Sequence, residues 1–253
     1  MNWKPKLNKF IENFEHKADM IGILVCGSFV TGNPSSHSDL DVHIILDEAV
    51  TYRERGNQII DGLLIEYFAN PSCQIRSYFE EDYQAMSYMS QTQFATGEII
   101  LDTTGIVAQL KQEAIAMINA NFEEIQPASH DLIKYGIWDM LDDLQDLYEN
   151  EQPEFDFIYY SNLDNLISIY MQQIKQNYNK KSILGHITSD SVRKKYLLNE
   201  LPDENIQNLI QTCITAEIKK DRIVSYEKLT NLVLELMGGF EIDGFKFKSS
   251  LSL

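Results

Sequence analysis

Cysteine is scarce in this chain of 253 residues: Cys26, Cys73 and Cys213 are odd in number and show no metal-ligand spacing. That excludes a disulfide framework and a thiolate zinc site, and points to buried free thiols. No apolar run approaches the roughly eighteen residues of a membrane span. The first nine residues are polar and broken by Pro5, unlike a secretory leader, so a cytoplasmic protein with no membrane partner is expected. Positive charge is also scarce, with 21 Lys and Arg against 38 Asp and Glu and a net charge of −17. The excess is uneven, because residues 1–150 hold 24 acidic and 9 basic side chains. A chain so acidic has no electrostatic footprint for the backbone of DNA or RNA, whereas a cationic small molecule would be drawn to it. Internal repeats and low-complexity tracts are absent as well, which excludes a solenoid. What remains, 44% hydrophobic and 23% charged residues, is an ordinary globular composition, long enough for one large domain or two small ones.

The most informative stretch is CGSFVTGNPSSHSDLDVHIIL, residues 26–46. An apolar run over Ile21–Val25 leads into Gly27-Ser28, a second glycine follows at Gly32, and Asp39-Leu40-Asp41 opens another apolar run. Side chains alternate along a strand, so Asp39 and Asp41 project from one face and Leu40 and Val42 from the other. Two carboxylates held side by side repel unless something positive lies between them. Magnesium fits, since it takes oxygen ligands and binds through one or two carboxylates together with substrate phosphates. Gly27-Ser28, between a strand and a short helix, would offer backbone N–H groups and a hydroxyl to a phosphate, with Gly27 allowing close approach. A Gly-Ser turn or an Asp-x-Asp pair alone is common; the ordered combination is far more specific.

This segment resembles the signature of the DNA polymerase beta-like nucleotidyltransferases, most of all the small bacterial aminoglycoside and lincosamide nucleotidyltransferases. The resemblance implies an α+β fold, with a small mixed sheet and flanking helices followed by a helical second domain. It also implies a nucleoside triphosphate, ATP first, as co-substrate, and two magnesium ions for which manganese can substitute. Asp39 and Asp41 take the place of the metal-binding pair, and Gly27 and Ser28 that of the phosphate-binding turn. A third carboxylate is expected on a later strand. Glu66 is the acid on the run Leu63–Phe68, where most relatives have aspartate, and becomes the candidate third ligand or catalytic base; a carboxylate at a strand edge is the plainer alternative.

Along the chain, Leu7, Phe10, Ile11 and Phe14 recur at helical spacing, predicting an amphipathic helix over Pro5–Lys17. Strands are predicted at Ile21–Cys26 and Asp39–Leu46. Asp61-Gly62 between two apolar runs predicts a hairpin, because both turn positions favour positive φ. A helix over Tyr78–Ser90, a strand over Gly97–Asp102 and a turn at Gly105 complete a domain of residues 1–105. The second domain, 106–253, reads as five or six helices: Ile106–Glu124, His130–Asn150, Phe157–Tyr178, Ser189–Asn199, Asp203–Ile218 and Ser225–Met237. Pro202-Asp203 marks one start, and Gly238-Gly239 a stop.

Between Lys134 and Lys175 there is no basic side chain. Asp139, Asp142, Asp143 and Asp146 fall on one helical face beside Trp138. A solvated face explains this; alternatively the stripe receives a cationic acceptor and Asp139 acts as general base. Lys180 and Lys181 are candidates for neutralising the triphosphate, against the commoner reading of a surface pair. His43 shares the face of Asp39 and Asp41 and reads as their neighbour. Three function classes stand: an enzyme transferring a nucleotide to a small hydroxyl-bearing acceptor such as an aminoglycoside-like antibiotic, a protein-modifying adenylyltransferase of the antitoxin kind, and a catalytically inactive nucleotide-binding module. Monomer and homodimer are both compatible with the sequence, and the acceptor does not follow from it.

Overall fold

The computed structural model describes residues 2–120 and 127–248. The chain divides into two compact units, the first of Met1–Asn121 with Lys195–Leu197, the second of Phe122–Lys194 with Leu198–Leu253. The architecture is α+β: a mixed five-stranded sheet with helices, then a helical region.

In the first unit, α1 (Lys4–Glu12) begins with proline in its first turn, where a missing N–H costs nothing. It stops short of the expected Lys17, because Asn13 leaves helical geometry and a single 3₁₀ turn, Lys17–Asp19, follows. Strands β1 (Met20–Cys26) and β2 (Leu40–Leu46) pair antiparallel and flank α2 (Ser28–Thr31). Strands β3 (Glu54–Ile60) and β4 (Leu63–Pro71) form the hairpin, turning at Asp61 (φ 48°) and Gly62 (φ 77°). Strand β4 returns parallel to β2, and β5 (Glu98–Asp102) closes the order β3-β4-β2-β1-β5.

The two faces of this sheet have different fates. On one, Leu7, Phe10 and Phe14 pack with Ile23, Val25, Val42, Ile44 and Ile65. Fully buried side chains of this kind contribute roughly 1.5–3 kcal/mol each. On the other, Leu24 and Cys26 meet Ile75 and Phe79 of α3 (Ser72–Gln84), Phe94 of α4 (Met89–Thr96) and Val107, Leu110 and Ala114 of α5 (Ile106–Asn119). The expected single helix over Tyr78–Ser90 is therefore two. The first starts at Ser72 directly after β4, and the break falls at Met86, whose φ of 52° ends it. Helix α5 begins at Ile106 after Gly105 (φ 84°), as the turn predicts, and packs within the sheet's own unit; residues 121–124 of the expected helix lie outside the described residues.

The second unit holds α6 (Pro127–Glu149), α7 (Phe155–Gln173), α8 (Ile183–Thr188), α10 (Glu204–Thr215) and α11 (Lys219–Leu236), while α9 (Asp190–Tyr196) straddles the division. Its core joins Ile137 and Leu144 of α6, Tyr159, Leu166 and Tyr170 of α7, Ile210 of α10 and Tyr226, Leu229 and Val233 of α11. Asp203 caps α10 by accepting from the N–H groups of Asn205 and Ile206, and α11 gives way to Gly238 and Gly239, both at positive φ. The short α8 was not expected; its Gly185 leaves room for Val192, against which an added Cβ would lie 2.9 Å. Cys26 and Cys213 are buried free thiols as expected, whereas Cys73, in the first turn of α3, is exposed. Among the described residues no helix is long and apolar enough to cross a membrane.

Candidate active site

The site forms where β1, β2 and β4 run side by side. The ladder sets Cys26 opposite Asp41 and Asp41 opposite Glu66, so the two carboxylates are lateral neighbours on one sheet face. Asp39 stands immediately before β2, two positions from Asp41, and follows a turn in which Ser35 N–H donates to Ser38 Oγ at 2.8 Å. One oxygen from each of Asp39, Asp41 and Glu66 lies within 4.8 Å of the others, and all three residues are half-buried.

The turn after β1 depends on glycine. Gly27 has φ 75° and ψ −158°, a region essentially closed to other residues. A Cβ there would also stand 2.1 Å from Asp41 Oδ2. The bare α-carbon thus makes room for the carboxylate. Gly27 carbonyl accepts from Val30 N–H (3.2 Å), Thr31 N–H (3.1 Å) and Thr31 Oγ1 (3.0 Å), which fixes the first turn of α2 with Ser28 at its head.

Electrostatics mark Asp41 as the strained member. Burial, then the charges of Asp39 and Glu66, raise its carboxyl to about 6. The Cys26 thiol is pushed well up, first by burial and then by Asp41 and Asp39, so it is an inert wall of the site. Glu66 carries a counter-charge: Arg55 Nη2 and Nε donate to its Oε1 at 2.6 and 3.2 Å. His43, two residues beyond Asp41 on the same face, is fully enclosed. Its Nε2–H donates to Gln93 Oε1 at 3.2 Å and its ring stacks on Phe68 at 5.3 Å. Burial lowers its pKa to about 4, against the opposing hydrogen bond, so it stays neutral.

The structure thus brings Gly27, Ser28, Asp39, Asp41 and Glu66 into one neighbourhood. Asp139, Lys180 and Lys181 belong to the helical unit. Asp139 is half-buried on α6 and accepts from Tyr135 Oη at 3.4 Å, while Asp142, Asp143 and Asp146 are exposed. Lys180 sits in a 3₁₀ turn and pairs with Asp164 at 3.2 Å; Lys181 is exposed beside it. Both lysines line a depression of about 680 Å³ with Phe157, Tyr160 and Tyr178. Arg55 was not anticipated as a site residue. The signal was present, because a two-residue turn at 61–62 pairs Asn57 with Glu66 and Arg55 with Phe68, which puts the guanidinium on the carboxylate face.

Residues 7–93, roughly a third of the chain, match the family of the nucleotidyltransferase domain, and every member of the sheet-borne cluster lies inside that span. A domain of this kind supports nucleotidyl transfer in general. The crystal structure of a nucleotidyltransferase-like protein from Exiguobacterium sibiricum 255-15 is similar over 93% of this chain and 76% of its own, with a TM-score of 0.43 and 12% identity. Among curated proteins none matches.

Proposed function

We propose that this chain is a metal-dependent nucleotidyltransferase that moves a nucleoside monophosphate, AMP from ATP, to a hydroxyl of a small cationic acceptor of the aminoglycoside kind and releases pyrophosphate. The observation that carries the reading is the gathering of three carboxylates within 4.8 Å beside the Gly27-Ser28 turn. The donor set suits magnesium or manganese, since it consists of hard carboxylate oxygens, and the raised pKa of Asp41 is a cost that a cation offsets. When bound, such an ion neutralises charge on the carboxylates and on the triphosphate.

The side chains divide the remaining work. Asp39 and Asp41 hold the cation, and Glu66 completes the ligand set or takes the proton of the acceptor. Gly27 and the Ser28 hydroxyl position the β- and γ-phosphates, so that the acceptor oxygen meets the α-phosphorus in line with the departing pyrophosphate. The acidic stripe of α6 and the net charge of −17 support a cationic acceptor.

Calorimetric titration of ATP with magnesium and with chelator tests the reading, together with pyrophosphate release over a panel of acceptors with ATP, GTP, CTP and UTP. Binding should require metal, and Ser28→Ala should weaken it about tenfold, the worth of one hydrogen bond to a charged group. Equal affinity without metal refutes the assignment.

A further inference from the structure

The Arg55–Glu66 pair joins unequal partners. Arg55 lies on the edge strand β3 and its side chain is 68% exposed, whereas that of Glu66 is 18% exposed. Both guanidinium N–H donors reach the same carboxylate oxygen, Oε1, and the guanidinium carbon rests 4.8 Å from the centre of the Phe68 ring. The hairpin does not need this contact, since its register is already fixed by the Asp61-Gly62 turn and the β3–β4 ladder. An ion pair this open to water adds little to stability in any case. The arginine can leave for solvent, while the carboxylate stays in the cluster with Asp39 and Asp41.

We propose that Arg55 is a positioning residue that competes with divalent cation for Glu66 and so sets how tightly the three carboxylates take up metal. The inference rests on the metal-dependent reading above. A guanidinium bonded to Oε1 occupies an oxygen that a cation would use and opposes it by its own charge. The site is therefore tuned to modest metal affinity by a charge that sits outside the ligand set.

Titration with Mn2+, following the electron paramagnetic resonance of the free ion, reads this without reference to turnover. Arg55→Gln should tighten Mn2+ binding about tenfold, the change expected on removing one charge about 6 Å from a divalent ion in a water-like medium. Arg55→Lys, which keeps the charge and loses the planar fork, should fall between wild type and Arg55→Gln. Arg53→Gln controls for net charge, because Arg53 donates instead to Tyr78 Oη at 2.8 Å; it should leave the affinity at the wild-type value. In a Glu66→Gln background the guanidinium loses the carboxylate that holds its charge beside the site, so the gain from Arg55→Gln should shrink, and an undiminished gain would overturn the competition for Glu66. Unchanged or weaker binding in Arg55→Gln, or an equal gain in Arg53→Gln, overturns the role of Arg55 alone. A wild-type protein that takes up no Mn2+ overturns this proposal and the metal-dependent reading together.

Discussion

Replacing Asp41 by Asn removes a charge from the most strained position of the site while keeping the shape of the side chain. The structure sets the expected size. A carboxyl moved from 3.8 to about 6 corresponds to roughly 3 kcal/mol of cost at neutral pH if wholly sheltered. Because Asp41 is only half-buried, water screens part of this, and about 1–2 kcal/mol is expected. The sign follows from the direction of the shift: the folded protein favours protonated Asp41, so the ionised group destabilises the fold above about pH 6, and the penalty fades as pH falls from about 6 toward 4. In chelator at pH 7.5, Asp41→Asn should therefore melt about 2–6 °C higher than wild type, and the gap should close on acidification. With magnesium and ATP the order reverses, because ligand raises the melting temperature only of a protein that binds it. Melting curves of both proteins across pH, with and without ligand, supply the assay. A metal-free mutant less stable than wild type at pH 7.5 would make Asp41 a structural hydrogen-bond acceptor and refute the reasoning.

Gly27→Ala meets both a backbone conformation that costs about 1–3 kcal/mol for a residue with a side chain and the carboxylate 2.1 Å from the new methyl. It should lower the melting temperature and abolish ATP binding, and a variant that folds and binds like wild type would contradict the close approach at this turn. Asp139→Asn with Asp142→Asn should raise KM for a cationic acceptor, once one is found by pyrophosphate release, at unchanged ATP affinity; unchanged turnover would leave the stripe a solvated face.

Much of the sheet's architecture could be seen in the residues themselves, because it rests on short-range rules. Alternation places Asp39 and Asp41 together, Asp-Gly specifies the hairpin, and the glycine pair after Leu236 stops α11. Where the rules are long-range the residues are mute. The break between α3 and α4 is made by Met86, a residue with no turn preference, which takes φ 52° where its N–H donates to the Tyr83 carbonyl at 3.0 Å and Ser87 N–H to the Asp82 carbonyl at 2.8 Å. Pro71 ends β4 and begins α3 in one step, whereas proline ordinarily suggests a longer interruption. Lys180 and Asp164 are sixteen positions apart, so their pairing follows from the packing of the helical unit and not from local pattern.

The same alternation explains why two titratable neighbours on β2 end so differently. Asp41 and His43 share a face and are separated by one residue, yet His43 is enclosed by Phe68, Phe94 and Gln93 while Asp41 keeps contact with water. The cover supplied by α4 thus ends within the length of two residues. On its covered side the sheet tolerates a polar ring only as a neutral one; on its open side it tolerates three carboxylates, the middle one at a cost. Phe68 spans the transition, with His43 stacked on it and Arg55 resting against it. The ring gives the guanidinium a second contact beside Glu66, yet the arginine stays largely open to water, so on this border the carboxylate is the fixed member of the pair and the cation the one that can be exchanged.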